Sequence, residues 1–281
     1  MTLERSAVRA ARTRMARLSE GLTRLRRDDR EAVARQKELT RLRALEHAGS
    51  LSTRLPGCDF EISDGPAFAS QWEAIFEAGC YAFVPRAPEP RILDCGANIG
   101  VASLYWSRTV RNARITAFEP DPVLAAMLRR NLIRCGANEV EIVEAAVWQE
   151  AGSMGFLAGS PDAGRLELAG GGERVRTVRL RDYLGDPVAL LKLDIEGAEV
   201  EVLRDCADRL ALADHVFVEY HSFDGQPQHL DEVVSILTRA GFRLHIRSEL
   251  ASARPFVRRD IHLGMDLQLN IYAFRCEAAT A

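Results

Sequence analysis

The amino-acid sequence predicts an α/β fold, a mostly parallel sheet flanked by helices and preceded by a long N-terminal helix. Three observations carry that expectation. Short apolar runs alternate with helix-forming stretches from Arg91 onward, the pattern of strand–helix–strand crossovers. The first run, Arg91-Ile92-Leu93-Asp94, opens into the small-residue turn Cys95-Gly96-Ala97-Asn98-Ile99-Gly100. Later runs also end in acids, at Glu119, Asp194 and Glu219, and the carboxyl ends of strands are where open α/β sheets hold ligands.

Residues 1–50 contain no proline and are rich in Ala, Leu, Arg and Glu, all helix formers. Met15, Leu18, Leu22 and Leu25 recur at heptad-like spacing, and Leu39, Leu42 and Leu45 resume the stripe after Asp29 and Gln36 interrupt it. Residues 1–54 hold 14 Lys and Arg against 7 Asp and Glu, whereas the whole chain carries a net charge of −3. The chain therefore divides into a basic helical segment, 1–54, and an acidic domain, 55–281. Two readings of the first stand: a coiled-coil, homo-oligomerising or domain-docking helix, or a basic surface for an anionic partner or membrane. Nucleic acid is not expected, because the helix carries no interleaved aromatics and the main domain is acidic.

Gly49 to Gly65 reads as linker, Phe68 to Gly79 as a short helix with Trp72, Ile75 and Phe76 on one face, and Tyr81 to Val84 as an extended segment able to lid a site. Tyr81 belongs either to the core or to that site. After the strand at Ile92-Leu93 come a helix over Val101 to Thr109 and a strand over Ala113 to Phe118. Asp121 and Pro122 then begin a helix over Val123 to Cys135 that Gly136 ends. Val140 to Val147 reads as a third strand, with Ala145 and Ala146 small enough to flank an adenine. Gly152 to Gly172 reads as a loose loop or hairpin and Glu173 to Leu180 as an extra strand. Further strands follow at Val188 to Ile195 and Val216 to His221, with helices over Val200 to Leu210 and Leu230 to Ala240. Little helical sequence separates Phe242–Arg247 from Leu267–Arg275, so these two form an antiparallel pair at the sheet edge.

Composition bounds the function. With 281 residues, 47% of them hydrophobic, the chain can bury a substantial core. No 18-residue apolar stretch and no signal-type core is present, so neither a membrane span nor secretion is expected and the protein reads as cytoplasmic. Six scattered cysteines without a C-x-x-C pair fit reduced thiols rather than a disulfide frame or zinc site.

The turn's G-x-x-x-G spacing is not the dinucleotide G-x-G-x-x-G, which argues against a nicotinamide oxidoreductase. Glycines 96 and 100 would let backbone approach a ligand closely. Asp94 facing that turn suits an ammonium, as on the amino-acid tail of S-adenosylmethionine. Glu119 offers two acceptor oxygens to two ribose hydroxyls.

The motifs Asp94-Cys95-Gly96-Ala97-Asn98-Ile99-Gly100, Phe118-Glu119-Pro120 and Leu191-Lys192-Leu193-Asp194-Ile195-Glu196-Gly197-Ala198-Glu199 together resemble the FkbM-family methyltransferases, over about residues 80 to 275. The resemblance implies a seven-stranded Rossmann-like sheet in the order 3-2-1-4-5-7-6 with strand 7 antiparallel. It also implies S-adenosylmethionine as cofactor and O-methylation of a hydroxyl on a sugar, polyketide or other natural product. It places Asp94, Gly96, Asn98 and Gly100 around the methionine part of the cofactor and Glu119 at the ribose, with Ala97 and Pro120 also among the cofactor-binding residues. Lys192, Asp194 and Glu196 mark a site whose roles stay open. An N-methyltransferase, or a non-catalytic scaffold with a partner-binding N-terminal helix, are the alternatives.

Asp194 and Glu196 are two apart and share a face of an extended segment, as do Glu219 and His221. Attack by an alcohol needs a base within hydrogen-bond reach. His221 is the first candidate, oriented by Glu219, with Asp194 or Glu196 next. A divalent cation between Asp194, Glu196 and His221 fits hard-ligand chemistry but is not the favoured reading.

Overall fold

The structure, a computed structural model, describes residues 30–45, 51–157, 164–167 and 172–275. Helix α1 (30–43) precedes a hairpin of β1 (Leu51–Thr53) and β2 (Phe60–Ile62). Helix α2 (Gly65–Trp72) continues into a π-helical turn over Glu73–Glu77. There follow β3 (Arg91–Cys95), α3 (Val101–Thr109), β4 (Arg114–Phe118), α4 (Pro122–Arg134), β5 (Glu141–Val143) and β6 (Ala146–Trp148). Next come β7 (Gly152–Leu157), β8 (Arg165–Glu167) and β9 (Glu173–Arg179). The chain ends in β10 (Val188–Leu193), α5 (Glu199–Cys206), β11 (Ala213–Phe223), α6 (Leu230–Arg239), β12 (Arg243–Ala251) and β13 (Met265–Phe274).

Seven strands form one sheet in the order β12-β13-β11-β10-β3-β4-β5. The five from β11 to β5 are mutually parallel, while β13 runs antiparallel to both β11 and β12. In strand rank this is 3-2-1-4-5-7-6, as expected. The sheet is covered on both faces because its central strands are apolar on both: all six residues of β10 are buried, the pattern parallel strands require. Alternation divides them, so that Ile92 packs with Leu104 and Leu128 on the α3–α4 side, and Leu93 packs with Val202 and Leu203 on the α5 side. The Asp121 carboxylate caps α4, accepting from the backbone N–H groups of Val123 (2.7 Å) and Leu124 (3.2 Å), with Pro122 as the first helical residue.

Three expectations need correction. Val140–Val147 is two strands: β5 ends at Val143, the chain breaks at Glu144-Ala145, and β6 joins a second sheet in the order β6-β9-β7-β8. The glycine-rich stretch after it supplies β7 and β8, paired antiparallel at Gly155↔Glu167 through Leu157↔Arg165, so of the two readings the hairpin holds. Tyr81–Val84 joins no strand. The thiols are not all reduced, since Cys58 and Cys135 form a disulfide across 77 residues. Scattered spacing gave no hint of it, because the partners meet only when the β1–β2 hairpin settles on the end of α4.

That hairpin is clamped on α4 from several directions. Asn131, fully buried, accepts from the Glu61 N–H (2.7 Å) and donates to the carbonyls of Glu61 (2.9 Å) and Ile99 (3.0 Å). Arg130 and Arg134 both pair with the Glu61 carboxylate at 2.6 Å. Leu39 and Leu42 of α1 are fully buried and pack with Phe60, Ile62 and Phe68, so this part of the leucine stripe docks on its own domain. Met15 to Leu25 lie outside the described residues. Among the described residues, no helix is long and apolar enough to cross a membrane.

Candidate active site

The carboxyl ends of β3, β4, β10 and β11 open onto a cavity of about 810 Å³. Gln71, Ile75 and Ala78, from α2 and the turn after it, form one wall, and Arg247, Gln268, Asn270 and Tyr272 of β12–β13 form another. This is where the strand order reverses about β3, the place open α/β sheets use for ligands.

The turn after β3 is shaped by protein contacts as much as by any ligand. Gly96 has φ +82°, and a Cβ there would stand 1.8 Å from the Asp194 carbonyl oxygen. Gly100 has φ +95° and faces Leu128 Cδ1, 2.6 Å from where its Cβ would be. Only Gly96 of the pair borders the cavity. Gly96 thus admits the turn after β10 while still bordering the cavity, and Gly100 admits α4 away from it.

Glu119 lines the cavity and also braces its floor. Its Oε2 accepts from the Asn98 N–H at 2.8 Å and its Oε1 from the Asp121 N–H at 2.9 Å. Each oxygen keeps a second lone pair. Burial pushes this carboxyl up to about 7, against the lowering effect of those two backbone donors.

Asp94 does not reach the cavity. It is fully buried, accepts from Ser103 Oγ at 2.7 Å and pairs with Lys192 Nζ at 3.3 Å. Its role toward a ligand ammonium is corrected accordingly, because its charge is already matched inside the protein. Burial raises its carboxyl despite the opposing effects of Lys192 and Ser103. Lys192 also donates to the Gly96 carbonyl at 2.8 Å and pairs with Asp194 at 3.2 Å. Burial alone would lower its ammonium, but the charges of Asp194, Asp94 and Glu219 hold it above the usual range. Lys192 therefore fastens the glycine turn to β10.

Parallel pairing of Leu193 with Val218 sets Asp194 and Glu219 side by side at the next position. Asp194, Glu196 and Glu219 all line the cavity. Glu196 sits at φ +56°, the left-handed region, followed by Gly197 at φ +100°. Burial pushes Glu196 and Glu219 up to about 8, Asp194 adding to the effect and His221 opposing it. Gln268 donates to Glu219.

His221 lies behind these acids. Its side chain is 1% exposed, and it is not part of the cavity wall. Its Nδ1 stands 2.9 Å from Glu199 Oε1, while its Nε2 is 3.7 Å from Glu196 and 4.0 Å from Glu219. Burial alone would lower the ring, but the Glu199 charge and hydrogen bond, then Glu196 and Asp194, hold it up at about 10. Set behind the wall with its Nδ1 engaged by Glu199, the ring does not meet a substrate proton directly, so the placing of His221 as first-choice base is corrected.

The structure thus brings Tyr81, Gly96, Ala97, Asn98, Glu119, Pro120, Ala145, Ala146, Asp194, Glu196 and Glu219 to one cavity, and leaves Asp94, Gly100 and His221 off its surface. Tyr81 packs edge-on against Phe217 at 4.9 Å, so it serves core and cavity together. The segments 152–172 and 248–266 also contribute to the wall, through residues such as Phe156, Leu166, Glu249 and Leu263. The residue that sequence reasoning missed is Glu199. It is 1% exposed and accepts from the N–H groups of Ile195 (3.2 Å) and Gly197 (3.1 Å). Its signal was an acid opening a helix just after Gly197, readable as a capping carboxylate.

Residues 94–244 match the model of the Methyltransferase FkbM domain. The chain is 29% identical over 194 residues to Methyltransferase 1 of Beauveria bassiana, across 57% of this chain and 78% of that protein. It is 30% identical over 217 residues to the 31-O-demethyl-FK506 methyltransferase FkbM of Streptomyces tacrolimicus, across 61% and 80%. To the 2-O-methyltransferase NoeI of Sinorhizobium fredii it is 26% identical over 166 residues, across 50% and 68%.

Proposed function

The chain belongs to the FkbM methyltransferase family, and from that premise we propose that it is an S-adenosylmethionine-dependent O-methyltransferase acting on a hydroxyl of a sugar, polyketide or other natural product. One observation carries the reading: carboxylates from the ends of β4, β10 and β11 line the same cavity, Glu119 on one side and Asp194, Glu196 and Glu219 on the other.

The residues present fit the cofactor. Glu119 has lone pairs left for a ribose diol beyond its two backbone donors. Ala145, Ala146 and Pro120 leave room for a flat base. Asp194, whose side chain is 25% exposed, takes the place expected of Asp94 as the anion facing an α-ammonium. The cofactor supplies an electrophilic methyl group on a sulfonium. The chain's own contribution is alignment, since an in-line displacement gains most from holding oxygen, carbon and sulfur in register.

The proton of the acceptor hydroxyl goes to Glu196 in its ionised form, which prevails above about pH 8. Asp194 is tied to Lys192 and Glu219 accepts from Gln268, whereas the Glu196 carboxylate meets the His221 ring at 3.7 Å, beyond hydrogen-bond reach. Arg247, Gln268 and Asn270 on the acceptor side suit a partner rich in hydroxyls. The names of the relatives from Streptomyces tacrolimicus and Sinorhizobium fredii point the same way, to oxygen as acceptor. The test is transfer of isotope-labelled methyl from S-adenosylmethionine to a panel of hydroxylated acceptors. Recovery of label in a methyl ether supports the reading, and label recovered only on nitrogen, or none transferred, overturns it.

A further inference from the structure

We propose that Asp194, Glu219 and His221 form a binding site for one divalent cation of the hard, magnesium or manganese kind, at the floor of the cavity. One ligand atom from each lies within 4.8 Å of the other two. An ion making bonds of about 2.1 Å bridges atoms so spaced with small side-chain adjustments.

The strongest support is the imidazole. Its side chain is 1% exposed, its Nδ1 is engaged by Glu199 at 2.9 Å, and its Nε2 points among acids at 3.7 and 4.0 Å, too far for a hydrogen bond. A carboxylate behind one ring nitrogen with the other nitrogen aimed into a cluster of oxygens is the arrangement in which histidine binds metals. The rear partner fixes the tautomer and the ring plane. Glu199 itself is held by the Ile195 and Gly197 N–H groups, so the ring has little freedom to turn.

Charge points the same way. Asp194, Glu196, Glu199 and Glu219 surround this one ring, and the nearest other cation, Lys192, is shared with Asp94. A divalent ion offsets the mutual repulsion of acids gathered about one ring. Two carboxylates with one imidazole suit manganese or magnesium better than softer metals. The Asp194 oxygen left free by Lys192 has two lone pairs, one for the ion and one for the cofactor ammonium, and Glu219 keeps an oxygen beyond that which meets Gln268. The Glu196 carboxylate stays outside the ligand set and remains the proton acceptor.

What the ion does rests on the methyltransferase reading; that it binds does not. Within that reading it draws the acceptor oxygen toward the floor and eases loss of its proton to Glu196. The new carbon–oxygen bond forms as the carbon–sulfur bond breaks, and the electron pair of the broken bond stays on sulfur.

The experiment uses the full chain, stripped with chelator and titrated with Mn²⁺ by calorimetry and by loss of the free-ion electron paramagnetic resonance signal. S-adenosylhomocysteine binding and the melting temperature are measured on every sample. The expected result is one saturable Mn²⁺ per chain, bound at least tenfold more weakly by Glu219→Gln and by His221→Gln. Glu199→Gln, which alters only the rear partner, weakens it about 10- to 100-fold. The proposal is overturned if wild-type protein takes up S-adenosylhomocysteine but no saturable Mn²⁺, or if folded Glu219→Gln and His221→Gln both bind Mn²⁺ as wild type does. Failure to bind S-adenosylhomocysteine would instead count against the cofactor assignment, whatever Mn²⁺ does.

Discussion

Glu199 Oε1 stands 2.9 Å from His221 Nδ1, with both side chains 1% exposed. This contact joins the turn after β10 to the end of β11. Removing the carboxylate strands a buried ring and two backbone N–H groups, and loss of one partner of a buried charged pair costs about 3–5 kcal/mol. Glu199→Ala is expected to lose stability on that scale in urea unfolding, and Glu199→Gln, which keeps an acceptor, to lose clearly less. Equal losses in the two variants would contradict the pairing.

Lys192 gives a second handle on the same floor. Lys192→Met leaves Asp94 and Asp194 uncompensated and releases the Gly96 carbonyl. We expect a loss of about 3–5 kcal/mol, partly recovered in the double variant Lys192→Met/Asp94→Asn. If the double variant is the less stable of the two, Lys192 is not balancing Asp94.

The pH dependence of cofactor binding should follow Glu119. Its carboxyl is raised from 4.5 to about 7 in the free protein, so the native state holds a proton between those values that the unfolded chain has released. This group's contribution to stability therefore falls as pH climbs through that window. A ribose diol donates to the ionised form, so S-adenosylhomocysteine affinity should fall below pH 7, by up to about tenfold per pH unit. Calorimetry at pH 6, 7 and 8 checks this, with Glu119→Gln expected to bind weakly and without that slope.

Glu196→Gln should lower kcat by about 10²- to 10⁴-fold, the range for loss of a general base. Cofactor affinity and melting temperature should change little. A kcat within a few-fold of wild type would reassign the proton acceptor, with His221→Gln and Glu219→Gln the next variants to compare.

The sheet was legible because its signals are local. Apolar runs such as Val188 to Leu193, and caps such as Asp121-Pro122, announce strands and helices from a few neighbouring residues. The site was legible only in part, because it depends on which way side chains leave a strand end and on what comes to meet them. Asp94 and Asp194 look alike in sequence, each closing an apolar run. Register puts Lys192 and Ser103 around the first and opens the second to the cavity. Gly96 reads as a ligand cradle until the Asp194 carbonyl is seen where its Cβ would be. Glu199 and the Cys58–Cys135 disulfide arise from meetings across 22 and 77 residues, which no spacing rule reports. The break at Glu144-Ala145 was hidden because two strands of different sheets abut in one apolar stretch.

Carboxylates at the ends of β4 and β10 are expected to cradle S-adenosylmethionine at opposite ends of one cavity. Isothermal titration of the full chain with S-adenosylmethionine measures this without any acceptor. One molecule is expected to bind per chain, with affinity weakened at least tenfold in Glu119→Ala and in Asp194→Asn and unchanged in Glu144→Gln, outside the cavity. Absence of binding to the folded wild type, or binding indifferent to both carboxylates, would contradict it.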